Sequence, residues 1–238
     1  MAEFNLAPFL SYCAENGIAV PPAAPQQLAL YGDLLLEWNQ KINLTAITDP
    51  QEIVLKHFTD CAALLRFLPL KPGQSLIDVG TGAGFPGAVL KILVPQAKVT
   101  LLDGHAKRFL FLNDFMQQSG LTCQTLHSRA ELAAKQPAYR EQFQYATARA
   151  VAALPTLLEY CLPFVKPGGL FAAMKGPGAG EEAAAAANAA GLLGGSPAAV
   201  QTYTLPGELE RAVVTVKKIS QTSAKYPRAS AKITKQPL

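Results

Sequence analysis

Residues 75–87 read SLIDVGTGAGFPG, and the rest of the chain is arranged around them. Leu76, Ile77 and Val79 form an apolar run of the kind a parallel strand buried on both faces requires, with one acid, Asp78, inside it. Gly80, Gly82, Gly84 and Gly87 follow at close spacing; a missing Cβ lets backbone approach a ligand that any other residue would exclude. Pro86 suits the first turn of a following helix, where its absent N–H is not missed. Strand, glycine turn and helix in that order mark a small-molecule site at the carboxyl end of a sheet.

Downstream, the pattern repeats as α/β units. Leu90, Ile92 and Leu93 carry a helix that stops before Pro95, and residues 99–103 (VTLLD) form a second strand closed by Asp103, followed by Gly104 and His105. An acid about twenty residues past the glycines stands where it accepts the ribose hydroxyls of a nucleoside cofactor. A helix is expected over 105–119, ended by Gly120. Lys107 and Arg108 lie in its first turn, where the helix dipole gains nothing from cations, so they suit an anionic partner. A third strand (122–126) leads to Ser128-Arg129-Ala130-Glu131, where the backbone and Glu131 would flank an adenine. A fourth (144–149) ends on Arg149, and a fifth (170–174) leads to Lys175-Gly176, which puts two cations on the same functional edge. Residues 181–193 read as one alanine-rich helix, and 211–219 as a last strand with one wet face.

The glycine loop has two parses. Residues 82–87 match G-x-G-x-x-G, the dinucleotide fingerprint, which alone is a weak signal. Residues 78–84 match acid-x-G-x-G-x-G, which resembles motif I of class I S-adenosylmethionine-dependent methyltransferases. A carboxylate two residues before the first glycine repels a pyrophosphate, whereas the amino group and sulfonium of S-adenosylmethionine are cationic. Asp78 therefore favours the second parse. Asp103 serves either cofactor.

Upstream, residues to about 68 read as helices, with Leu28, Tyr31, Leu35, Trp38 and Ile42 as one apolar stripe. In TAITDPQE (45–52), Asp49 is an expected N-cap, Pro50 fits the first helical position, and Glu52 stands where a capping box needs it. Val54, Phe58, Cys61, Leu65 and Leu68 continue the buried face, with His57 and Asp60 beside it as satisfied polar residues at a domain junction. Half the 238 residues are hydrophobic and 16% are charged, which suits a sizeable core and excludes global disorder. No apolar run is long enough for a membrane span, and the N-terminus has no basic leader before an apolar core. Cys13, Cys61, Cys123 and Cys161 are scattered among apolar residues, as reduced thiols of a cytoplasmic protein are. No metal cluster or Ser/His/Asp set is evident. Residues 217–238 carry six basic residues and no acid, while the other 216 carry 15 basic and 17 acidic ones; the positive tail suits a polyanion.

Several stretches together resemble one family over residues 28–238. They are Asn43-Leu44-Thr45-Ala46-Ile47, Lys56-His57-Phe58, DVGTGAGFPG, Leu101-Leu102-Asp103 with Lys107-Arg108, Ser128-Arg129-Ala130-Glu131, Arg149-Ala150, Lys175-Gly176, Tyr226-Pro227-Arg228 and a closing Pro237-Leu238. The family is the ribosomal RNA small subunit methyltransferase G family, also called glucose-inhibited division protein B. The chain departs from it late, with Ala231-Lys232-Ile233 where Gly-Thr-Pro is usual, and at Cys61, where Ser is common.

The resemblance implies an α/β, Rossmann-like class I fold with a mostly parallel seven-stranded sheet and helices on both faces. A helical extension (1–69) would precede the methyltransferase domain (70–238) and its basic tail. It implies methyl transfer from S-adenosylmethionine to N7 of one guanine in 16S ribosomal RNA, free or in an assembling 30S particle; the sequence shows no strong exposed apolar stripe, so a monomer is expected. The cofactor shell would be Asp78, Gly80, Gly82, Gly84, Phe85, Asp103, Gly104, His105, Ala130, Glu131 and Arg149. Guanine N7 has a lone pair and no proton, so direct in-line transfer needs no general base and rests on positioning, with Arg149 and Lys175 as candidates. RNA contacts would come from Lys107, Arg108, Lys175, Lys225, Tyr226, Arg228, Lys232 and Lys235, with stacking from Phe85 or Tyr226. An NAD-dependent oxidoreductase on the same loop, and a non-catalytic RNA-binding protein, are the competing readings.

Overall fold

A computed structural model describes residues 3–238. Two helices come first, α1 (Ala7–Glu15) and α2 (Ala24–Asn39). A third helical stretch runs from α3 (Pro50–Ile53) through a π-helical turn at Val54–Thr59 into α4 (Asp60–Ala63). The Asp49 carboxylate caps it, accepting from the Gln51 and Glu52 amides at 3.0 and 2.9 Å. The expected capping box is not completed, because the Glu52 carboxylate pairs with Lys56 one turn on. The π turn also replaces the regular periodicity expected there. Thr59 Oγ1 donates to the Val54 carbonyl, and every residue from 57 to 64 becomes buried.

The alternating units follow as β1 (Ser75–Val79), α5 (Gly87–Leu93), β2 (Lys98–Asp103), α6 (Ala106–Ser119), β3 (Gln124–His127), α7 (Ala130–Ala133), β4 (Phe143–Arg149), α8 (Leu154–Cys161) and β5 (Val165–Lys175). Gly120, at φ 70°, ends α6 in the left-handed conformation that favours glycine. The chain then adds α9 (Ala179–Ala185), α10 (Ala187–Leu192), β6 (Ala199–Leu205), β7 (Leu209–Lys217) and α11 (Ser230–Lys235). Seven strands form one sheet in the order β3-β2-β1-β4-β5-β7-β6, parallel except that β7 runs antiparallel to β5 and β6.

Successive side chains of a strand point to opposite faces, and the strands obey this. Leu76, Val99, Leu101, Tyr145, Ala172 and Val213 join a core with α1 to α6, which places the N-terminal helices on one face of the sheet. Ile77, Leu102, Ala146, Ala148, Phe171, Ala173 and Val214 join a second core with α7 to α10 on the other.

Two expectations are corrected here, and one strand was not foreseen. The alanine-rich segment is two helices, broken at Ala186. β7 has no wet face, since Ala212 to Val216 are all buried between β5 and β6. β6 carries no apolar run that marks it as a strand, because its first four residues are exposed edge positions. Among the described residues no helix is long and apolar enough to cross a membrane.

Candidate functional site

The carboxyl ends of the parallel strands carry two adjoining cavities, and the glycine loop sits between strand and helix above them. Gly80 and Thr81 donate to the Leu102 carbonyl, which ties the loop to β2. Gly84, at φ 97°, packs so closely on Tyr31, Ala88 and Leu112 that a Cβ has no room. Tyr31, from α2, donates its hydroxyl to the Ala83 carbonyl, so the N-terminal helices help fix the loop.

Asp78 is fully buried beneath this loop. Its Oδ2 accepts from Thr81 Oγ1 at 2.6 Å and from the Gly87 amide at 2.8 Å, while Oδ1 has no partner. Burial pushes its carboxyl up to about 6, against the hydrogen bonds from Thr81 and Gly87. Asp78 closes the turn from below and lines neither cavity.

The first cavity, of about 380 Å³, lies over β1, β2 and α7. Gly80, Asp103, Gly104, His105, Ala130 and Glu131 line it together with the apolar Val79, Leu102 and Val151. Asp103 Oδ2 accepts from the Gly82 amide at 2.9 Å and Arg108 Nη1 at 2.8 Å; Oδ1 accepts from the His105 amide at 2.8 Å, with His105 Nδ1 at 3.1 Å. Burial works against its charge, but the bonds from Arg108, Gly82 and His105 prevail and hold the carboxyl below its usual value. The buried Glu131 accepts from Arg129 Nε at 2.9 Å. Both arginines that line this cavity are therefore paired with its own carboxylates.

The second cavity, of about 290 Å³, is lined by Asp60, Arg149, Ala150, Met174, Lys175, Gly176 and Arg211. Ala150 borders both cavities and holds a φ of 55°, which a non-glycine residue rarely adopts. Arg149 Nη1 donates to the Lys56 carbonyl at 3.0 Å and lies 3.3 Å from Asp60 Oδ2; Nη2 lies 3.0 Å from His57 Nδ1. Burial, then the Arg149 charge, push His57 down to about 3, so it is neutral at ordinary pH. Nδ1 also lies 3.2 Å from the Lys56 carbonyl, and Nε2 lies 2.9 Å from Thr45 Oγ1. Lys56, His57 and Asp60, at i, i+1 and i+4 of this helical stretch, share one side. Tyr203 donates to Asp60 Oδ1 at 2.7 Å, and Glu182 Oε2 takes Lys175 Nζ at 2.7 Å and the Leu154 amide at 2.8 Å.

The other expected residues fall elsewhere. Gly82 and Gly84 support the loop without lining either cavity. Phe85 is buried, stacked on His57 with centroids 4.4 Å apart and lying under the Arg149 guanidinium. Lys107 lines a polar crevice of about 340 Å³ shared with Lys41, Asn43, His105 and Arg108. Tyr226 is buried, and Arg228 forks onto the fully buried Glu159 at 2.6–3.1 Å. Lys225, Lys232 and Lys235 are exposed. The reading of residues missed Glu182, Tyr203 and Arg211. Glu182 is concealed in an alanine-rich helix, and the other two sit on strands whose pairing only the fold reveals. Among the described residues no group of three or more His, Cys, Asp or Glu is placed to hold a metal.

The model of a known family, described as rRNA small subunit methyltransferase G, matches residues 24–225. A ribosomal RNA small subunit methyltransferase G from Alkaliphilus metalliredigens is 45% identical over 228 residues, 95% of each chain. Among solved structures, a methyltransferase from Pyrococcus furiosus superposes with a TM-score of 0.55 at 14% identity, over 82% of this chain and 99% of that one. An S-adenosylmethionine-dependent O-methyltransferase from Thermotoga maritima gives 0.53 at 16% identity, over 79% and 72%. At such identities the structures share the fold alone.

Proposed function

Because the chain belongs to the ribosomal RNA small subunit methyltransferase G family, we propose that its first cavity holds S-adenosylmethionine and its second the acceptor guanine. The chain is an S-adenosylmethionine-dependent ribosomal RNA methyltransferase. When bound, the cofactor supplies an electrophilic methyl group on a sulfonium centre.

The observation that carries the cofactor assignment is the charge pairing in the first cavity. Arg108 and Arg129 are each spent on a cavity carboxylate, so no unpaired arginine is offered to a pyrophosphate. A nucleoside with a cationic tail meets apolar walls and two acids instead. Asp103 is the acceptor for ribose hydroxyls, Ala130 and Glu131 flank the base, and Gly80 and Gly104 leave room for the ligand. Asp78, Gly82, Gly84 and Phe85 support this cavity from beneath.

We assign the acceptor atom to guanine N7. It carries a lone pair and no proton, so no residue has to accept one. Asp60 is the carboxylate in the second cavity, and Tyr203, Arg149 and Arg211 surround it, which suits an anchor and not a base. Arg149 and Lys175 give the cavity its positive field and its shape, and transfer rests on holding the reactants at reaction distance. The exposed Lys107, Lys225, Lys232 and Lys235 supply phosphate contacts to 16S RNA, free or in a 30S particle. Arg108, Tyr226 and Arg228 are committed within the fold. The four free thiols fit the reducing cytoplasm, and we assign a monomer.

The test is transfer of label from S-adenosylmethionine to under-modified small-subunit RNA and particles, followed by nucleoside digestion. Label in 7-methylguanosine is the expected result. Label on another nucleoside overturns the N7 assignment, and cofactor binding without any label in RNA overturns the assignment of the second cavity.

A further inference from the structure

Three cations face the second cavity, and the protein occupies them unequally. Arg149 spends both terminal nitrogens on Lys56, Asp60 and His57. Lys175 is held at 2.9 Å by the Ala152 carbonyl and at 2.7 Å by Glu182. Arg211, from β7, has Nε 3.6 Å from Asp60 Oδ1, longer than a hydrogen bond, and Nη1 donating to the Glu210 carbonyl at 3.0 Å. Its Nη2 has no protein partner among the described residues. Its side chain is also the most open of the three, 25% exposed against 16% for Arg149 and 12% for Lys175.

We propose that Arg211 is the specificity-determining residue of the second cavity, donating from Nη2 to O6 of the acceptor guanine. This rests on the assignment of that cavity to the acceptor nucleotide. A cavity ringed by cations recognises an electronegative edge, and the guanine edge that carries N7 carries O6 beside it. N7 has to stay bare to react, which leaves O6 for a guanidinium. Adenine presents an amino donor at that position, which a guanidinium repels. Asp60, fixed by Tyr203, aims Arg211 from behind, while Arg149 and Lys175 remain bound to the protein and set the walls.

The experiment uses the full chain as wild type, Arg211→Gln and Arg211→Lys. Each is assayed on the RNA that wild type labels and on the same RNA with 2-aminopurine, which lacks O6, at the labelled position. Arg211→Gln is expected to lower kcat/KM on guanine by about ten- to a hundredfold, with the cofactor Kd unchanged. Loss of O6 costs wild type a similar factor and costs Arg211→Gln little further, because both changes remove one interaction. Arg211→Lys keeps the charge beside Asp60 and carries the same comparison if Arg211→Gln does not fold. An undiminished kcat/KM in Arg211→Gln overturns the proposal. So does an equal further loss on the 2-aminopurine RNA, or a parallel loss of cofactor binding, which assigns Arg211 to structure. Failure of wild type to label any guanine sinks the underlying reading instead, before the variants are compared.

Discussion

Asp78 and His57 are buried titratable residues with opposite effects on stability, and the pH dependence of folding separates them. The folded-state carboxyl of Asp78 lies above its unfolded value, so its contribution is fully present below pH 4 and lost as pH rises through about 6. A displacement of that size corresponds to roughly 3 kcal/mol. His57 is depressed to about 3, so the unfolded chain takes up its proton first and stability falls as pH drops below the ordinary histidine range. Between pH 4 and 6 the two slopes oppose. Denaturant melts should show Asp78→Asn gaining stability as pH rises through that window, and His57→Gln losing it. Identical slopes in the two variants would refute both assignments. Part of this was legible in the sequence. An acid inside an apolar strand before glycines announces a loop that needs a carboxylate, but which side of the loop it serves depends on Gly87, nine residues on, whose amide it accepts.

Elements carry information that single residues do not. The Glu182 carboxylate, on α9, accepts from the first amide of α8 and also holds Lys175 at the end of β5. It caps one helix from another. Glu182→Ala should destabilise the fold by about 1–2 kcal/mol, as loss of a cap does, and should lower methyl transfer without changing the cofactor Kd. Calorimetry beside a transfer assay tests both parts; an unchanged transfer rate would show that Lys175 needs no anchor. The β1 to β5 strands and the glycine loop were legible because hydrophobic periodicity and turn residues are local signals. β6, the wet-face reading of β7 and the helix break at Ala186 were not. Edge position and burial depend on neighbours far along the chain, and alanine repeats carry no facing preference. The π turn was hidden for a similar reason, since one extra residue in a helix shifts every later side chain without altering composition.

At the scale of the whole molecule, the positive C-terminal segment is packed and not a free arm. Arg140 donates to the carbonyls of Thr222, Ser223 and Tyr226, and the fully buried Lys218 reaches Leu162 and Thr222. Arg228→Ala leaves the Glu159 carboxylate buried without its counter-charge, with only the residue 228 backbone amide still donating to it at 2.7 Å, so it should cost about 3 kcal/mol and lower the melting temperature. Replacing Lys225, Lys232 and Lys235 together by Ala should leave stability within about 0.5 kcal/mol, weaken RNA binding and flatten its salt dependence. A melting temperature unaltered by Arg228→Ala, or a salt slope unaltered by the triple change, would count against this division of labour. The same packing fixes an order of events. Ser230 receives Arg129 Nη2 at 2.7 Å across 101 residues, and lies 3.4 Å from Tyr160 Oη across 70, both of which line the first cavity. Contacts so distant in sequence carry a large loop-closure cost. On a ribosome the parallel strands are therefore synthesised before Ser230, and the brace behind that cavity can form only after them.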